Sequence, residues 1–189
     1  MFALPTLIAP LLVAPAPAAA QPAPPVHCQV PCGIYGDHLR IELLREHATT
    51  IEKAMKEIER LSAEDKTGLN FNQMVRWIST KDEHAQVIQD QLAQYWLAQR
   101  IKKADPADES DAGKRARRRY SGQLFSLHEM TVAAMKCKQT VDVENVRSFR
   151  KALDTFKKAY FSAEDLKKLE ERHDHDHSKD GSGGGGKKR

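Results

Sequence analysis

From Asp37 onward the apolar residues recur at intervals of three and four. Leu44, Ala48, Ile51, Met55 and Ile58 form one stripe, the spacing of a single helix face, and predict a helix over about Asp37–Leu61. Asp37 is placed to cap its start, and Pro31, Gly33 and Gly36 keep the preceding segment out of it. Ser62–Asn70, with Gly68, reads as a connection. Phe71, Met74, Ile78, Ala85, Ile88, Leu92 and Tyr95 continue as a second stripe, interrupted by Lys81, and predict a helix over Phe71–Lys102 that Asp105-Pro106 ends. Tyr120, Leu124, Leu127, Thr131 and Ala134 predict a third over Asp111–Lys138. Val146, Phe149, Leu153, Phe156 and Tyr160 predict a fourth over Val143–Tyr160. Ser162-Ala163-Glu164-Asp165 reads as the cap and first turn of a short extension to Arg172.

No segment alternates as a strand would. The expected fold class is therefore all-α, an up-down four-helix bundle over residues 37–161. The stripes are narrow and heptad-like, which leaves surface for association between copies. Residues 162–189 divide into the short helix and a low-complexity tail, His173-Asp174-His175-Asp176-His177 followed by Gly, Ser and Lys. That composition predicts a solvated, disordered tail without a defined site.

Composition changes the picture little. Of 189 residues, 40% are hydrophobic and 30% charged, an ordinary globular balance. The net charge of +4 includes the terminal Lys187-Lys188-Arg189 and argues for no nucleic-acid partner. No long apolar run follows the extreme N-terminus, so no membrane span is expected in the mature chain. The basic run Lys114–Arg119 reads as a solvated helix face rather than a device for steering anions. His38, His47 and His128 read as surface or internally satisfied residues, and Trp77, Tyr95 and Trp96 as core or interface aromatics.

Residues 1–26 stand apart. Met1–Ala20 holds no charged side chain and contains the run Leu7-Ile8-Ala9-Pro10-Leu11-Leu12-Val13-Ala14 before ending on Ala18-Ala19-Ala20. This fits a signal peptide and a small-residue cleavage site. It predicts an exported protein, periplasmic or extracellular, with 1–26 removed on maturation. Because a basic n-region is missing, a cytoplasmic protein with a cleaved propeptide is the alternative.

Three cysteines are present. Cys137 reads as a partly buried thiol without a role. Cys28 and Cys32 lie four apart in the loop His27-Cys28-Gln29-Val30-Pro31-Cys32-Gly33-Ile34-Tyr35. A structural zinc site would require four side-chain ligands, and no second cysteine pair exists. A small disulfide, a redox pair and metal-trafficking thiols all remain open from the spacing alone. If the chain begins at His27, further donors appear: the terminal amine, the imidazole and the Cys28 backbone nitrogen. Amine, amide nitrogen and two thiolates suit a square-planar nickel or copper ion. Such anionic donors also stabilise a higher oxidation state.

The loop HCQVPCGIY resembles the signature H-C-x-x-P-C-G-x-Y of the nickel-containing superoxide dismutases, with His27, Cys28, Pro31, Cys32, Gly33 and Tyr35 all in place. The resemblance runs on through a helical region to about Phe161. It implies conversion of superoxide to oxygen and hydrogen peroxide by Ni(III)/Ni(II) cycling. The implied nickel ligands are the His27 amine and imidazole, the Cys28 backbone nitrogen and thiolate, and the Cys32 thiolate. Pro31 is implied to shape residues 27–36 into a hook, and Tyr35 to gate superoxide at the metal's open face. Glu42 is the candidate hydrogen-bond partner of the axial imidazole. His84 stands where many members carry an arginine as the other partner. A homohexamer and a maturation protease acting before His27 are also implied. The proton donor stays open between Tyr35, a thiolate and ordered water. The rival reading is an exported, non-enzymatic nickel- or copper-binding helical protein.

Overall fold

The computed structural model describes residues 36–180, and among them every regular element is a helix. Helix α1 spans Asp37–Ser62, α2 Gly68–Asp90, α3 Asp111–Gln139, α4 Glu144–Tyr160 and α5 Ala163–Asp180. Between α2 and the following connection the chain keeps turning as a π-helical segment, Gln91–Arg100. The all-helical expectation holds, and the stripes explain why. In α1 the buried residues Ile41, Leu44, Ala48, Ile51, Met55, Ile58 and Leu61 step by three and four. Burying each large apolar side chain contributes about 1.5–3 kcal/mol, which outweighs the weak intrinsic preference of any single helix.

Helix α1 packs on α2 and α4, and α3 packs on α4 and α2. One core results, in which Ile41, Ile88, Trp96, Met130, Phe149 and Phe156 are fully buried. Leu169 of α5 also reaches it. The starts of α2, α3 and α5 are set by hydroxyl caps, which satisfy otherwise orphaned N–H groups. Thr67 Oγ1 accepts from Asn70 N at 3.1 Å and Ser110 Oγ accepts from Gly113 N at 3.0 Å. Ser162 does the same for α5, accepting from Asp165 N at 3.1 Å. The Thr67 cap starts α2 three residues before the expected Phe71.

Four departures from the pattern have physical causes. Asp37 makes no cap: Gly36 occupies that position in extended conformation, because the Asp37 carboxylate is engaged by donors from distant elements. Lys81 interrupts the α2 stripe yet is buried. Its Nζ donates to the carbonyls of Cys137 and Lys138 and to Asp82 Oδ1, each at 2.7 Å, so a cation closes the C-terminal end of α3. Phe71 and Ile78, expected on the inner face of α2, are exposed. Finally, α5 continues through the His/Asp stretch to Asp180, where a disordered tail was expected. No glycine or proline interrupts it before Gly181.

Candidate metal centre

His27, Cys28, Pro31, Cys32 and Tyr35 lie outside the described residues. The described chain begins at Gly36, directly after Tyr35. Among the described residues no group of three or more His, Cys, Asp or Glu side chains gathers to hold a metal. Cys137 is buried, and burial pushes its thiol up to about 11, so it stays protonated and is a poor ligand. Thiolate chemistry is thereby left to Cys28 and Cys32. A terminal amine, a backbone amide and two thiolates form a donor set suited to nickel.

The structure does show what the loop is attached to. Asp37, the first residue of α1, is only 15% exposed at its side chain. Its Oδ1 accepts from Tyr95 Oη at 2.5 Å, and its Oδ2 accepts from Arg100 Nη2 at 2.6 Å and Tyr160 Oη at 2.8 Å. Burial alone would raise the Asp37 pKa, but Arg100 and the two phenols favour the carboxylate and hold it below the usual range. Burial and the Asp37 charge push the Tyr160 phenol up to about 12 and raise Tyr95 as well, so both remain donors at neutral pH. The ties continue along the first turn. His38 stacks on Phe161 with ring centroids 5.1 Å apart, Arg40 lies over the Tyr95 ring at 4.9 Å, and Gln91 Nε2 donates to the Arg40 carbonyl at 2.7 Å.

The π-helical turn is what aligns these partners. In an α-helix, nine residues make about two and a half turns, which would put Arg100 opposite Gln91. A π-helix closes i to i+5, as in the bond from Ile101 N to Trp96 O at 3.0 Å. Residues four and five apart then stack, and Gln91, Tyr95 and Arg100 share one face against α1. Sequence reasoning placed Tyr95 only as a core or interface aromatic and gave Arg100 and Tyr160 no site role. No residue pattern announces a π-turn, and Arg100 sits on the wrong side of an α-helical projection.

Of the two expected imidazole partners, Glu42 lies on α1 and is ion-paired with Arg45 at 2.8 Å. His84 lies on α2 facing α1, where its Nδ1 is 2.8 Å from Nδ1 of His47. One ring must donate and the other accept, so His84 commits Nδ1 to His47 and keeps Nε2 for any other partner. The basic run of α3 is part of the scaffold: Arg117 Nη1 reaches the Asp105 and Pro106 carbonyls at 3.3 and 3.4 Å, and Arg119 Nε reaches that of Ala159 at 3.0 Å. Beside the Asp37 cluster opens a cavity of 770 Å³ whose charged lining comprises Asp37, Arg100, Lys102, Lys103, Arg119 and Asp165. Asp37 and His38 of the first turn of α1 belong to the same lining.

In sequence, a histidine and two cysteines, His27, Cys28 and Cys32, precede the helical body. The family model for nickel-containing superoxide dismutase matches residues 18–164, and the chain belongs to that family. It is accordingly an oxidoreductase acting on superoxide with nickel as its cofactor. No curated protein and no solved structure matches the chain. The His/Asp stretch of α5 lies beyond the matched residues.

Proposed function

We propose that the chain matures by loss of residues 1–26 in an exported compartment, through a protease that frees the His27 amine. The supporting observation is the family match, whose span contains the whole loop 27–35. In this reading His27, Cys28 and Cys32 hold the nickel, with Pro31 bending the loop back between the two cysteines. The helices form an up-down four-helix bundle, and six copies assemble with their loops enclosed.

Nickel, when bound, supplies one-electron exchange between Ni(III) and Ni(II). In one half-reaction superoxide gives up an electron and leaves as dioxygen. In the other, a second superoxide takes that electron together with two protons and leaves as hydrogen peroxide. The protein's part is access, orientation and proton supply. Tyr35 stands at the entrance and admits a diatomic anion while its hydroxyl orders water. Glu42 and His84 orient the His27 imidazole, His84 through the Nε2 that its bond to His47 leaves available. Lys102 and Lys103 of the cavity lining favour the approach of an anionic substrate.

The test is intact mass and N-terminal sequencing of the native protein, with nickel content and superoxide turnover measured on the same sample. A chain starting at His27, with about one nickel per chain and turnover that Cys28→Ser abolishes, is the expected result, since the donor set needs both the amine and the thiolate. A mature chain starting upstream of His27 with a Cys28–Cys32 disulfide and no nickel would overturn it. Nickel held without turnover would favour a binding protein instead.

A further inference from the structure

The geometry points to Asp37, Tyr95, Arg100 and Tyr160 as the mount that fixes the nickel loop to the helical body, with Asp37 as a positioning residue for the metal centre. This rests on the dismutase reading of the loop. Asp37 follows Tyr35 by two residues and Cys32 by five, so the chain leaving the loop has little slack. The length of that tether is limited by backbone reach, about 3.3–3.6 Å per residue. Wherever the Asp37 backbone sits, Tyr35 must follow within two residues.

Three side chains from two other elements converge on this one carboxylate. That is more than a helix start requires. A side-chain cap would satisfy an N–H group of the first turn, whereas here the carboxylate turns away from its own helix and α1 begins without a side-chain cap. Both carboxylate oxygens are occupied, so the first turn is fixed in rotation as well as position. Arg100 reaches it only because the chain turns as a π-helix over Gln91–Arg100, a rare geometry that is frequent at functional sites. The His38–Phe161 stack and the bond from Gln91 to the Arg40 carbonyl brace the same turn. Elsewhere on α1 the ties are of another kind. Arg150 of α4 pairs with Glu52 four turns further on, far along the helix from the loop.

The consequence is mechanical. Ligand donors carried on a loop are held in productive geometry only as well as the loop's exit is held. Loosening the mount leaves every nickel ligand present but frees the loop to depart, so nickel is lost faster from a body that is still folded.

The experiment uses the mature chain starting at His27, loaded with nickel, as wild type, Asp37→Asn, Tyr160→Phe and Arg150→Gln. Nickel release to a chelator is followed by the decay of thiolate-to-nickel absorption, alongside helical circular dichroism and thermal unfolding. Asp37→Asn is expected to release nickel roughly ten- to a hundredfold faster, the range typical of residues that hold metal ligands in place. Tyr160→Phe, which removes one donor only, is expected to fall between it and wild type. Arg150→Gln is expected to release nickel at the wild-type rate, since it breaks an ion pair of similar exposure far from the loop. Should Asp37→Asn fail to fold, Tyr160→Phe against Arg150→Gln carries the comparison. Wild-type release rates in both mount variants would overturn the mount while leaving the dismutase reading intact. A wild-type chain starting at His27 that binds no nickel would overturn both.

Discussion

The first turn of α1 and the first three turns of α2 are both helix starts, and they have opposite polar surroundings. At the start of α1, Asp37 is nearly enclosed and is bonded by three side chains from outside its own helix. At the start of α2, Leu69, Phe71, Val75 and Ile78 are 68, 52, 61 and 40% exposed, and the polar ties there are short-range, such as Asn70 Nδ2 to the Asp65 carbonyl at 2.9 Å. The body is thus cross-braced where α1 begins, just after residues 27–35, and left open where α2 begins. Periodicity tells which residues can be buried; it does not tell what covers them.

The largest expected effect tests the braced region. Trp96 is fully buried in the π-helical segment, with edge-on ring contacts at 5.1, 5.0 and 5.1 Å to Tyr95, Phe156 and Tyr160. Trp96→Ala should lower unfolding stability by about 3–5 kcal/mol in denaturant titration, the usual range for emptying an aromatic site. A loss under about 1 kcal/mol would mean the cluster relaxes freely, and the contrast between the two regions would collapse.

Next comes the connection that closes the same region. A Cβ on Gly113 would lie 2.2 Å from the Asp108 carbonyl oxygen, so the 105–110 turn approaches α3 too closely for any side chain. Gly113→Ala should cost about 1–3 kcal/mol by overpacking, despite the better helix propensity of alanine. A stabilised variant would show that the turn is not held against α3.

Acidification probes the pair between the two regions, His47 and His84. Burial lowers the His47 pKa below its ordinary 6.5, helped by the neighbouring His84 and partly opposed by Glu46. The folded state therefore binds this proton more weakly than the unfolded one. Stability from this source is complete above 6.5 and declines as pH falls below it, until the folded pKa is passed. Thermal midpoints measured down from pH 7.5 should fall in that window, and His47→Gln should flatten the fall. An unchanged slope in the variant would remove His47 as the cause.

How far the sequence could be read follows the same division. Helices α1, α2 and α4 were legible because Ile41 to Leu61, Ala85 to Leu92 and Val146 to Phe156 repeat at helical spacing, whereas of the expected α3 stripe only Leu127 and Ala134 are buried. The family and its nickel cofactor were legible because the motif from His27 to Tyr35 carries the resemblance in the sequence itself, independent of the fold; its ligands His27, Cys28 and Cys32 lie outside the described residues. The mount was not legible. Asp37 looked like a cap because capping is a local property, whereas its true partners are 58, 63 and 123 residues away. Arg100 reached that site through a change of helical period, which leaves no mark in composition. Lys81 looked like a flaw in a stripe, since the carbonyls it closes belong to the end of another helix.

The smallest expected effect is at the open region, and it is the one most able to sharpen the comparison. Phe71, Val75 and Ile78 are four and three residues apart and so share one face of α2, exposed in this chain taken alone. Phe71→Ser removes apolar surface that is already half in water, so an isolated chain should change by no more than about 0.5 kcal/mol. Paired measurements at low and high protein concentration separate the possibilities. No change at either concentration means the face is solvated and the open region is what it looks like. A drop of several degrees in thermal midpoint that appears only at high concentration means that another copy covers this face, since stabilisation by association follows mass action. The braced region, whose partners all lie within one chain, should show no such dependence when Trp96 is the residue replaced.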